Sequence, residues 1–227
     1  MFIHAQSLFD ATEFEQPGKC TTFPDIATRT AKESFDMKNI LLASAALIGF
    51  GTATYAAPVE YTLDPSHSQI VFTYEHLGFS TTTGMFSGFE GTINFDEEDP
   101  AASSVEVAFP TDSLITGWDA RTEHFLTGDF FDAETNPEIS FKSTSITVEG
   151  EDEGVITGDL TINGITKEIS IEAELTQKAD HPMENKPWIG FKGETTVLRS
   201  DFDMGMFAPY VSDEVEIEIS IEAMQAE

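Results

Sequence analysis

Cysteine is almost absent. The 227-residue chain carries one, Cys20, which excludes a disulfide framework and a multi-cysteine metal centre. Basic residues are also scarce: 11 Lys and Arg stand against 41 Asp and Glu, a formal net charge of −30. Nucleic acid and anionic lipid surfaces repel so acidic a body, so no nucleic-acid partner is expected. No run is long and apolar enough to span a bilayer, so no stable membrane insertion is expected either. Tight metal spacing such as His-x-x-x-His is missing, as is a serine in a Gly-x-Ser-x-Gly setting. No catalytic residue and no metal ligand is assigned. Carboxylate pairs are unavoidable at this composition and carry no signal.

What is present begins with a leader. Residues 37–57, MKNILLASAALIGFGTATYAA, open on Met37 and Lys38, continue through an apolar core Ile40–Phe50, and end in small residues. That is the charge–apolar–small order of a secretory signal. Ala56 and Thr54 stand one and three residues before the expected cut at Ala56/Ala57. The expected organisation is therefore a start-site misassignment or unstructured leader over 1–36, a signal peptide over 37–56, and one domain over 57–227. The product is expected to be periplasmic or secreted. The mature domain keeps 227 − 56 = 171 residues, enough for a real core. It loses Cys20, and its charge becomes 7 − 35 = −28. We read the charge as a solvated acidic shell. Clusters such as Asp96–Asp99 and Glu149–Glu153 lack the spaced ligands and fixed glycine of a calcium loop.

Alternation with a period of two dominates the mature chain. In Glu214–Glu222 the acids Glu214, Glu216, Glu218 and Glu222 alternate with Val215, Ile217, Ile219 and Ile221, one face charged and the other apolar. Ile165–Thr176 repeats the pattern. Asn163-Gly164 separates it from Ile156–Ile162 and predicts a type I′ hairpin, because both turn positions need positive φ. Further strands are expected at Val59–Leu63, Gln69–His76, Phe86–Phe95, Val105–Phe109, Ile139–Val148 and Trp188–Leu198. About eight or nine strands, several near ten residues long, favour a tall up-and-down antiparallel barrel over a sandwich.

The interior of that barrel is expected to be aromatic. Phe accounts for 19 residues, each bringing on the order of 150–250 Å² of apolar surface. Glycines intervene at Gly88, Gly91, Gly158, Gly190 and Gly193, a mixture that permits a cavity. One stretch breaks the alternation. Thr116–Phe141 holds brief helical periodicity around Trp118–Leu126, with Trp118, Arg121, His124, Phe130 and Phe131. These residues suit a short helical cap over an apolar interior.

The order and content of these motifs resemble the YceI family of exported lipid-binding proteins. The resemblance covers about Tyr61 to Ala223. It rests on His67-Ser68, His76-Leu77-Gly78, Phe89–Asp96, Thr116-Gly117, Arg121, His124, Asp129–Asp132, the run Gly158–Lys167 and Arg199–Phe202. It implies an eight-stranded, lipocalin-like barrel whose tunnel holds a long isoprenoid, of polyprenol or quinone type. No cofactor is expected beyond such a lipid. The family pattern departs at Thr122, Phe125, Leu126 and Asp203, which points to a more apolar mouth.

Candidate ligand-binding residues along the tunnel and mouth are Phe72, Tyr74, His76, Phe86, Trp118, Arg121, Phe125, Phe130, Phe131 and Arg199. Arg121 and Arg199 are the two arginines of the mature chain; each is expected to pair with a carboxylate or to grip an anionic head group. His67 is expected to hydrogen-bond its own turn, and His124 to make a structural bond. The expected function is that of a carrier or buffer for one isoprenoid lipid. A salt-adapted stress or structural protein with a filled barrel is the alternative, and an enzyme acting on a lipid head group is a third. A homodimer is left open, with no interface named.

Overall fold

Period-two alternation becomes strand nearly everywhere it occurs. The computed structural model describes residues 57–227; the expected leader and signal peptide, residues 1–56, lie outside the described residues. The chain forms β1 (Val59–Leu63), β2 (Gln69–His76), β3 (Ser80–Phe86), β4 (Glu90–Phe95) and β5 (Ser104–Pro110). The one α-helix among the described residues, α1 (Asp119–Phe125), follows. The remaining strands are β6 (Glu138–Val148), β7 (Glu153–Ile162), β8 (Ile165–Asp180), β9 (Pro187–Leu198) and β10 (Glu214–Gln225).

Every pairing is antiparallel, and β4 through β10 pair in chain order. Closure comes from β10. One edge pairs with β9 along its length. The other edge takes β1, with Leu63 opposite Ala223, and β2, with Phe72 opposite Ile217. The strands β1 and β2 are thus two halves of one stave. Likewise β3, on β2, and β4, on β1, are halves of the next. Among the described residues the ten strands make a closed barrel of eight staves; β3 pairs with β2 alone, and its other edge meets only Ile115, through Met85.

The breaks have local causes. Pro65 has no N–H to offer a ladder, and Asp64 Oδ1 accepts from the Ser66 N–H at 2.9 Å, turning the chain between β1 and β2. Gly88 stands at φ 73° between β3 and β4. The expected hairpin between β7 and β8 is present, with Asn163 at φ 53° and Gly164 at φ 71°. Bulges between Ser143 and Ser145 in β6, and between Leu175 and Gln177 in β8, shift the register by a residue. After the first, the inward positions change from Ile139 and Phe141 to Ile146 and Val148.

One strand escapes the sequence reading. The expected strand Phe86–Phe95 is two strands, and β3 begins at Ser80. The inward positions of β3 are Ser80, Thr82, Gly84 and Phe86. Three of the four are small or polar, so no apolar alternation marks this strand.

The helix α1 is seven residues long, too short to stand without packing. Thr122 Oγ1 and Thr116 Oγ1 share a hydrogen bond of 2.8 Å at its base. Phe125 packs on Tyr74 and Phe130, with ring centroids 6.1 and 4.9 Å away. Beneath it an aromatic cluster joins Phe86 to Phe72, Phe109 and Phe131 at 5.2–5.7 Å.

Candidate ligand-binding cavity

The odd residues of β10 and β8 and the even residues of β2 and β7 point inward, as the alternation requires, and together they wall a cavity. Its volume is about 670 Å³, within the usual range of small-molecule sites. At one end the lining includes His76, Trp118 and Arg121; at the other it includes Phe95, Val148 and Glu153. Between them it is almost entirely aliphatic and aromatic.

Room for the aromatic rings is made by glycine. A Cβ on Gly84 would stand 2.3 Å from Phe72 Cζ, and one on Gly158 would stand 2.5 Å from Phe141 Cζ. Both rings therefore lie against the opposite backbone.

All ten residues singled out from the sequence border this one cavity. Phe72, Tyr74, Phe86 and Phe130 are buried in its wall, while Phe125 and Phe131 are half-buried. Trp118 is a rim residue rather than part of a lid, because 62% of it is exposed. His76 faces the cavity mouth. The His124 ring packs edge-on to Phe130 at 5.1 Å, and its Nε2 lies 3.3 Å from Asp129 Oδ2, the structural bond expected of it.

The carboxylate pairing expected of the two arginines is not what holds them. Neither forms an ion pair with a carboxylate among the described residues. Arg199 is buried at 9% exposure, and its guanidinium donates to four backbone carbonyls. Nε–H reaches Ser212 O at 2.8 Å, Nη1 reaches Met204 O at 2.6 Å and Met206 O at 3.1 Å, and Nη2 reaches Val211 O at 3.0 Å. Four of its five N–H groups are thereby committed to the loop between β9 and β10. Burial lowers its pKa, while Asp213 and Tyr74 act in the opposite direction; an arginine remains charged throughout. Arg121 is held loosely. Its Nη1 is 3.4 Å from Thr116 O, and its Cζ lies 5.7 Å from the centroid of the Trp118 ring. It is a cation at the mouth with donors to spare.

The sequence reading missed Met204 and Met206, which line the cavity from the β9–β10 loop. Neither lies on a strand, so periodicity could not find them. The long run without charge, 204–212, is the signal that would have done so.

Among the described residues, Asp64, His67 and Glu222 bring ligand-type atoms within 4.8 Å of one another. Each already has a partner. His67 Nδ1 lies 2.6 Å from Asp64 Oδ2, and Glu222 Oε2 accepts from Trp188 Nε1 at 3.1 Å. His67 thus bonds its own turn, as expected.

A closed antiparallel barrel with an apolar cavity beneath a short helix defines a lipocalin-like binding barrel. Its sequence places it more narrowly: the YceI-like domain family matches residues 61–223, and the chain belongs to that family. A UPF0312 protein of Pseudomonas aeruginosa is 36% identical over 191 residues, covering 83% of this chain and 99% of that protein. Protein YceI of Salmonella heidelberg is 37% identical over 190 residues, with 83% and 98% covered. Among solved structures, the Campylobacter jejuni YceI protein superposes with a TM-score of 0.61 at 29% identity, over 67% of this chain and 90% of that one. A polyisoprenoid-binding domain from Saccharophagus degradans shares the fold, with a TM-score of 0.59 at 14% identity, over 74% and 99%.

Proposed function

We infer that the protein is an exported binding protein for one long-chain isoprenoid lipid, of polyprenol or quinone type, acting as a carrier or buffer. The cavity carries this reading. It is about 670 Å³, apolar along its length, and open at a mouth that bears Arg121 and His76. A tail inside gains roughly 0.8 kcal/mol per buried CH₂, so few polar contacts are needed. The head group sits at the mouth, within reach of Arg121. An open interior weighs against the filled barrel of a purely structural protein.

The signal-like order of segment 37–57 supports reading the carrier as exported to the periplasm or beyond the cell. Native mass spectrometry of protein purified from that compartment tests the reading. A bound lipid of discrete mass, removed by organic extraction, is the expected result. A clean apoprotein with no affinity for added quinones or polyprenols would sink it, and turnover of an added lipid would replace the carrier by an enzyme.

A further inference from the structure

Charge is spread unevenly along the chain. Charged residues make up 23% of it, yet 77–89, 113–118 and 204–212 contain none. The fold gathers parts of these stretches around the cavity mouth. The Leu77 N–H donates to Tyr210 O at 2.9 Å, and His76 bridges Val211. Trp118 and Phe207 border the cavity itself.

The large side chains here face solvent. Phe79 is 89% exposed, Tyr210 76%, Phe207 57% and Leu77 48%. An exposed cluster of this kind contributes nothing to the core and marks a contact surface.

We propose that this exposed aromatic rim docks on the surface of a zwitterionic phospholipid bilayer and presents the cavity mouth to it. Three observations select that occupant. Aromatic side chains with polar tips, here Trp118 and Tyr210, are the residues that settle at the membrane–water interface. Trp118 and Phe207 belong to both the rim and the cavity wall, so a tail passes from bilayer to barrel without crossing water. A mature charge of −28 sets this body against an anionic membrane and against a second copy of itself. The exposed rim residues Leu77, Phe79, Trp118, Phe207 and Tyr210 carry no acid, and Arg121 beside Trp118 is a cation, so both repulsions are weakest at this face. The purpose of the docking rests on the reading of the cavity as a lipid-tail site; the docking itself does not.

Flotation of the protein with phosphatidylcholine vesicles that contain no isoprenoid tests it. The expected result is flotation that weakens when phosphatidylglycerol is added, and a loss of roughly fivefold or more in the double variant F79S/Y210S. Neither residue lines the cavity, so that variant keeps whatever lipid the wild type retains in native mass spectrometry. In a W188F background Trp118 is the one remaining tryptophan, and brominated phosphatidylcholine should quench it. No flotation by the wild type, or equal flotation by the variant, overturns the proposal. So does a dimer that F79S/Y210S dissociates without any vesicle binding, which would make the rim a self-association face. Absence of a co-purified lipid alongside intact flotation would count against the carrier and leave the docking standing.

Discussion

The ring of Phe72 lies against Gly84 on the paired strand, where a Cβ would stand 2.3 Å from Phe72 Cζ. The contact puts a large side chain flat on the barrel wall instead of across the lumen. Gly84→Ala should drive the ring toward the lumen or distort β3. The expected cost is about 1–3 kcal/mol, read as a lower urea midpoint, together with reduced retention of a long-chain lipid. An unchanged midpoint and unchanged retention would mean that the ring swings aside freely.

Arg199 ties four carbonyls of the β9–β10 loop to the barrel. Arg199→Ala leaves those acceptors without a donor in a largely buried setting, at an expected cost of about 3 kcal/mol or more. Limited proteolysis should then cut within 204–212. Arg199→Lys should rescue little, because an ammonium cannot span four acceptors that the planar fork reaches. Equal stability of the Lys variant and the wild type would refute this.

Arg121 should behave in the opposite way. It makes one long hydrogen bond and lies against an exposed Trp, so Arg121→Ala should change stability by less than about 0.5 kcal/mol. Retention of a lipid with a phosphate-type head should fall by roughly tenfold, while a neutral quinone is unaffected. If lipids of both kinds co-purify unchanged, Arg121 is not a head-group ligand.

The Asp64–His67 pair predicts a pH dependence. The Asp64 hydrogen bond, and then its charge, raises the His67 pKa from its ordinary 6.5. That contribution is full below pH 6.5 and is lost as pH rises through the raised value. For Asp64, burial pushes the pKa upward, but bonds from His67 and Ser66 together outweigh it and lower the value from 3.8. That contribution is present above 3.8 and fades as pH falls. The pair should therefore support the β1–β2 turn most between about pH 4 and 6.5. An NMR titration of the His67 ring should give a midpoint above 6.5, and Asp64→Asn should bring it back. A midpoint at or below 6.5 in the wild type contradicts the pairing.

Much of the barrel was legible in the sequence. Alternation places β1, β2 and β5–β10 and gives β2, β8 and β10 their faces, so Phe72, Tyr74 and His76 fall on one face and lie together. The helical cap was legible as a change of period around Trp118–Leu126. The missing strand was not, because an inward face of Ser80, Thr82 and Gly84 carries no apolar signal. The carboxylate partner expected of Arg199 is replaced by carbonyls, because the β9–β10 loop offers them at close range.

The sequence by itself determined which residues share a face, where the Asn163-Gly164 turn falls and how acidic the outer surface is. These depend on neighbours one or two positions away and on composition. Only the tertiary structure decided that β10 closes on both β1 and β2, that two staves are broken, and that three uncharged stretches meet around one mouth. Those facts join residues as distant as Leu63 and Ala223. No local period encodes a contact of that separation; it exists only once the barrel has closed.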